Sequence, residues 1–328
     1  MSGIFVNGAV DAFHQHLDTA GNIINASDGG IITAEGRYHW YGQALGDRSF
    51  AEGGQMTLTG VVMYASDDLV NWEYEGVVLP VSQDHDSPLY APMRFERPKI
   101  IYNDRTGKYV LWCHYVRYPG KHGFEKGQGE ALCAVSDRVT GPYTLCYIGR
   151  PIDDRGYVRD STVYRDDDGR AYFIYDRQVS KGFNPVLKPF ERCLHIVELS
   201  ADYTSFTDNY ARIDACDQRE APCVVKRDGW YYMITSGLTG WNYNPAKYFR
   251  SKALMGEWEA MGDPFSGDSE QTSFRTQGSF IFTTREGRDI YMCERHNTDN
   301  FLHCSYIWFP IEYNNGGLRL EYRERFEL

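Results

Sequence analysis

Short apolar runs alternate with polar, glycine-containing turns along the whole chain. No window holds a sustained 3.6-residue apolar period, so the pattern predicts strands and minimal helix. One unit recurs: an apolar strand, a polar turn closed by Gly, then a strand rich in aromatics. It reads GGIITAEGRYHWYGQ, PKIIYNDRTGKYVLWCHY, STVYRDDDGRAYFIYD, APCVVKRDGWYYMITSG and SFIFTTREGRDIYMCE. The turn glycines Gly36, Gly107, Gly169, Gly229 and Gly287 follow one another at 71, 62, 60 and 58 residues. A second hairpin follows in VVMYASDDLVNWEYEGVVL, ALCAVSDRVTGPYTLCYIG and YFRSKALMGEWEAMGDP, and LHIVELSADYTSFTD fills the same place in the third unit. About four strands per unit is the content of a propeller blade. Five such units fill residues 1–328, which predicts one all-β domain, a five-bladed β-propeller with no linker or second domain. A β-sandwich of repeated hairpins is the alternative, but it would need ~20 strands in two sheets, and its hairpins need not share internal sequence.

Composition narrows the partners. Lys and Arg number 34 against 45 Asp and Glu, a net charge of −11, with 15% aromatic residues. Mean hydropathy is −0.51, and no run approaches the ~20 apolar residues of a membrane helix. Disorder, membrane insertion and nucleic-acid binding are all disfavoured. Eight cysteines occur and none forms a C-x-x-C pair, so structural zinc is not expected; no motif announces another metal site and none is expected, while an ion in the axial channel is not legible from the sequence. Buried free thiols, together with an N-terminus that lacks a basic-then-apolar leader pattern, predict a cytoplasmic protein. The oligomeric state is not legible.

In a propeller, residues just before the first strand of each blade converge on one funnel. Those positions hold Asp28, Glu96, Asp160, Glu220 and Gln277. Any one of them reads as a solvated strand end. Five acid or amide groups at one repeat phase read as a site, because like charges focused in a cleft cost stability. Arg97, Arg159, Arg219 and Arg275 accompany them and either neutralise the carboxylates or hold a ligand. Without a metal motif, phosphate loop or nucleophile elbow, paired carboxylates point to acid–base hydrolysis. Glycoside cleavage is the fitting case, needing one protonated carboxyl and one group that activates water. Trp241 and Tyr243, on a Gly-rich loop, offer faces for a sugar. His114 and Tyr115 precede a second loop, through Gly127, that is expected to be mobile. The Asp166–Gly169 run DDDG reads as a hairpin turn and not as a calcium loop.

The blocks DGGI, ERPKIIYNDRTGKYVLW, RDSTVYRDDDGRAYFIY, REAPCVVKRDGWYYMITSG with TGW, SFRTQGSF and YMCER with YIWFPIEY together resemble glycoside hydrolase family 43. The chain is most similar to the galactan exo-1,3-β-galactosidase branch, from about Ile23 to the C-terminus. The resemblance implies a five-bladed propeller, inversion of configuration, no cofactor and an oligosaccharide substrate. It makes Glu220 the general acid and Asp160 the carboxylate that orients it and tunes its pKa. It leaves the base open among Asp28, Glu96 and Gln277. Most of the family keeps an Asp on the first blade. The galactanase-like branch lacks it and was proposed to use the Glu of ERPK or the Gln of SQ. Here SDGGI places Asp28 near the family position, either as a base or as a turn-capping residue. Trp241, Tyr115 and Arg295 of the YMCER block are candidate substrate contacts. The expected function is release of galactose from β-1,3-linked galactan or arabinogalactan oligosaccharides, by a catalytic domain with no appended carbohydrate-binding module. An α-L-arabinofuranosidase or β-xylosidase of the same family is the alternative enzyme, and a non-catalytic carbohydrate-binding propeller is the alternative of another class.

Overall fold

The computed structural model describes residues 3–91, 93–117, 129–151, 156–179 and 191–328. Strand β1 (Ile4–Val6) opens the chain and pairs with the last strand. The first repeat forms the sheet β2 (Ser27–Ala34), β3 (Arg37–Leu45), β4 (Thr57–Ser66) and β5 (Glu73–Pro80). The second forms β6 (Met93–Asn103), β7 (Lys108–Arg117), β8 (Gly129–Ser136) and β9 (Thr144–Gly149). The third forms β10 (Gly156–Arg165), β11 (Ala171–Val179), β12 (Glu191–Leu199) and β13 (Phe206–Asp217). The fourth forms β14 (Arg219–Arg227), β15 (Trp230–Gly237), β16 (Lys247–Ser251) and β17 (Glu259–Gly262). After β18 (Phe265–Ser266), the fifth forms β19 (Gln277–Thr283), β20 (Asp289–Arg295) and β21 (Ser305–Pro310). The chain closes with β22 (Glu312–Asn314), β23 (Gly317–Glu321) and β24 (Arg325–Glu327).

The fold is an all-β propeller, but the expected count of five blades is corrected. Among the described residues the structure builds six sheets of three or four strands. Five come from the five repeats, and their first strands β2, β6, β10, β14 and β19 neighbour one another in a closed ring. The sixth is the mixed sheet β18–β23–β22, in which Phe265 pairs in parallel with Leu320. It joins segments that lie outside the repeat and far apart in sequence, so repeat counting has no means of seeing it. Among the described residues the only helical pieces are the 3-10 turns Phe50–Glu52 and Phe301–His303.

The five turn glycines all take positive φ, from +68° to +81°, the region that the tight turns require and that only Gly enters without strain. The Asp166–Gly169 run is one of these turns, with the Gly169 amide donating to Asp166 O at 3.0 Å. Apolar side chains fill the spaces between sheets, anchored by the fully buried Trp40, Trp72, Trp112 and Trp308. All eight cysteines are free thiols and seven are buried. The chain ends seal the ring: β1 pairs with β24, and Phe5 stacks on Trp308 at 3.9 Å.

Candidate active site

Every inner strand carries a register shift at the same phase. The ladder slips between Ser27 and Gly30, Glu96 and Lys99, Val158 and Ser161, Glu220 and Cys223, and Gly278 and Phe280. Such a bulge bends a strand and re-aims its side chains. Asp28, Arg97 and Ala221, inside these shifts, sit at φ of +54°, +54° and +53°. The five residues singled out by repeat phase thereby reach one place. Asp28, Glu96, Asp160, Glu220 and Gln277 all line a single cavity of about 340 Å³.

Arg97 organises the floor of that cavity. Its Nε meets Asp160 Oδ2 at 2.9 Å, and one terminal nitrogen donates to Gln277 Oε1 at 2.7 Å and lies 3.7 Å from Asp28 Oδ1. The other donates to Gly278 O at 2.8 Å. Gln277 in turn donates through Nε2 to Glu220 Oε1 at 3.3 Å and to Ser236 Oγ at 3.1 Å. Arg192 holds the other Glu220 oxygen at 3.0 Å and is itself paired with the fully buried Asp176. Burial and the charge of Asp160 push the Glu220 carboxyl up to about 7, against the pull of Arg192 and Arg97.

Glu96 is set up differently. Arg94 lies 2.7 Å from one oxygen and His114 Nδ1 2.9 Å from the other. Burial disfavours its ionised form, but these two partners outweigh burial and hold the carboxyl well below the usual range. Two carboxylates in one cavity are thus driven in opposite directions, Glu220 toward its protonated form and Glu96 toward its ionised form.

Asp28 lies on a second cluster behind the cavity wall. Glu294 accepts the Asp28 amide at 2.6 Å and the Ser27 hydroxyl at 2.7 Å, and His296 Nε2 lies 3.6 Å from Glu294 Oε2. Burial and the Asp28 charge push Glu294 up to about 8. Lys99 donates to the Asp28 and Pro98 carbonyls at 2.8 and 3.2 Å, with burial and Arg97 lowering its pKa to about 7.

Trp241 lines the cavity mouth, edge-on to His296 at 4.8 Å and to Phe301 at 5.0 Å. Tyr243 instead donates its hydroxyl to His296 O. Two expected substrate contacts are placed elsewhere. Tyr115 is buried in the core between sheets, with its hydroxyl on Pro88 O. Arg295 is buried and binds the carbonyls of Ala9, Ala12 and Phe274. Among the accompanying arginines, Arg97 and Arg159 line the cavity. Arg219 ties Thr235 to Pro245 O, and Arg275 pairs with Glu270. The loop through Gly127 lies outside the described residues.

Sequence reasoning missed Arg94, Asp176, Gln178, Arg192, Ser236, Glu294 and His296. One signal was available for three of the site's polar groups. Counted across the hairpin, Glu96 pairs with His114, Glu220 with Ser236 and Gln277 with Glu294. Polar residues opposite the repeat-phase positions mark the second wall.

The sequence profile of glycosyl hydrolases family 43 matches residues 26–317. Among solved structures, a β-1,3-galactosidase of that family with galactodeoxynojirimycin superposes at a TM-score of 0.85, with 29% identity, covering 99% of this chain and 100% of that one. An exo-β-1,3-galactanase from Clostridium thermocellum gives 0.79 at 33% identity, over 98% of this chain and 66% of that one. A xylan 1,3-β-xylosidase from a Vibrio species is 23% identical over 61% of this chain and 36% of its own length. A β-D-galactofuranosidase from Aspergillus niger is 22% identical over 70% and 63% respectively, so the chain spans less than two thirds of either curated relative. The family match over most of the chain, joined to a carboxylate-lined funnel in a propeller, places this protein in glycoside hydrolase family 43.

Proposed function

We propose that the protein is an inverting exo-glycosidase that releases galactose from β-1,3-linked galactan or arabinogalactan oligosaccharides. The observation that carries the acid role is the environment of Glu220: a buried carboxyl beside Asp160, protonated up to about pH 7. In the reaction Glu220 gives its proton to the glycosidic oxygen as that bond breaks. A water on the opposite face attacks the anomeric carbon and loses its proton to the base. Asp28 suits the base better than its rivals. Glu96 is held ionised by Arg94 and His114, which weakens it as a proton acceptor. Gln277 has its oxygen on Arg97 and its nitrogen on Glu220, an arrangement that orients its neighbours. Trp241 offers an aromatic face at the mouth. The galactose unit and the β-1,3 linkage rest on likeness to the galactosidase and galactanase structures, of which one from Phanerochaete chrysosporium was solved with β-1,3-galactotriose.

Glu220→Gln tests the acid. Activity on β-1,3-galactobiose is expected to fall by ~10²–10⁴, and much less on an aryl galactoside whose leaving group needs little protonation. Equal losses on both substrates would refute the assignment. The similarity to xylosidases keeps a second reading in view, and aryl xyloside and arabinofuranoside run beside the galactoside separate the two.

A further inference from the structure

We propose that Cys133 and Cys146 form a reversible thiol–disulfide exchange site, open to low-molecular-weight disulfides, on the outer edge of the second sheet. β9 is the last strand of that sheet and pairs with β8. The ladder places Cys133 opposite Tyr147 and Ala134 opposite Leu145, so Cys146 is the extra residue of a bulge. In such a bulge two residues oppose one, and Cys146 stands beside Tyr147 across from Cys133. Opposed residues of antiparallel strands have Cα atoms about 4.5–5.5 Å apart, inside the range of about 4.4–6.8 Å that a disulfide spans. The side chains meet as well. Cys146 Sγ lies 3.4 Å from the Cys133 carbonyl oxygen, and the two thiols share a hydrogen bond.

Exposure and ionisation divide the roles. Cys146 is the one exposed thiol of the eight, whereas Cys133 is wholly buried. The Cys133 S–H stabilises the Cys146 thiolate and draws its pKa below the ordinary value, against partial burial and the charge of Asp202. Burial first, and then the hydrogen bond and charge of Cys146, hold Cys133 protonated. The thiolate is the nucleophile, so Cys146 attacks first. It breaks the S–S bond of the small disulfide, keeps one half as a mixed disulfide and releases the other as a thiolate. Capping Cys146 removes the charge that opposed ionisation of Cys133. Cys133 then gives its proton to solvent and attacks the Cys146 sulfur, and the second half departs as a thiolate. The two cysteines together lose two electrons, and the small disulfide gains them. The product staples the edge strand β9 to β8, and excess thiol reverses it.

The site stands on this geometry and not on the catalytic reading. The test uses the folded full chain, reduced and freed of reductant, with dithiobis(nitrobenzoate) as the small disulfide. Two equivalents of thionitrobenzoate should be released per chain. The protein should end two hydrogens lighter, with the peptides of Cys133 and Cys146 joined. Cys133→Ala should release one equivalent and keep the other half of the reagent as a stable adduct. Cys146→Ser should release almost none, because the remaining thiols are buried. The unsubstituted protein decides the matter even where a variant fails to fold. No release, a single equivalent with the adduct retained, or a disulfide between any other pair of cysteines would each overturn the site.

Discussion

Asp160 and Glu220 stand on neighbouring inner strands, and the charge of the first raises the proton affinity of the second. Asp160→Asn removes that charge, so the Glu220 pKa should fall. The alkaline limb of the kcat/KM profile, governed by Glu220, should then move to lower pH. A profile of unchanged shape and reduced height would mean that Asp160 positions sugar instead. Asp28→Ala isolates the base. Turnover should drop by ~10²–10⁴, and azide, entering where water did, should restore reaction as a glycosyl azide of inverted configuration. A folded Asp28→Ala protein with full activity would eliminate Asp28 as the base. Tyr115 and Arg295, which lie outside the cavity lining, show how narrow the margin is for individual side chains. His114 faces the cavity and Tyr115 the core; Glu294 faces Asp28, and Arg295 the carbonyls of Ala9, Ala12 and Phe274. The neighbours in each pair differ by one position, which on a strand means the opposite face.

The bulges of the inner strands convert a regular repeat into a site. In the first sheet the slip at Asp28 and Gly29 brings β2 hard against β3. A Cβ on Gly29 would lie 1.5 Å from the Tyr41 carbonyl oxygen, and one on Gly42 would lie 2.1 Å from that of Ala26. Backbone stands on both sides, so no side chain can yield. Gly29→Ala should therefore destabilise the protein by ~3 kcal/mol or more, read as a shift of the denaturation midpoint at unchanged m-value. A near-neutral effect would show that the two backbones can part at this crossing at little cost. The hairpin turns at Gly36 and Gly229, by contrast, have open space around the glycine, so their demand is for positive φ alone.

Buried carboxyls with raised pKa make the stability of the whole propeller depend on pH. The reference carboxyl titrates near 4.5, Glu220 near 7 and Glu294 near 8. Between these values the unfolded chain has released protons that the folded protein still holds. Stability is thus fully present below about pH 4.5 for these two groups and falls as pH rises through 7 and 8, each contributing a slope of up to about 1.4 kcal/mol per pH unit. Glu96 works the other way, its contribution being lost only as the pH falls into the acid range. In urea titrations at pH 5, 6 and 7, Glu220→Gln should show a shallower decline than the parent protein. Identical slopes would mean that Glu220 is not protonated in the folded state.

Hairpin turns, aromatic strands and the phase of the five polar residues were legible from the chain because they depend on local geometry: period-two alternation, a positive-φ glycine, and a repeat that returns to the same place in each unit. The resemblance in ERPK, RDST and REAP extended that reading to the proposed acid and its partner. The sixth sheet, the burial of Tyr115 and Arg295, and the cluster of Asp28 with Glu294 and His296 were not legible. Each depends on which segments meet after the ring closes, as when β18 pairs with β23 or β2 packs beside β20. It also depends on where each bulge resets the parity of a strand. The charge state of Glu220 belongs with these. A carboxyl in the sequence is only a carboxyl, and burial beside Asp160, opposed by Arg97 and Arg192, is what makes it an acid near neutral pH.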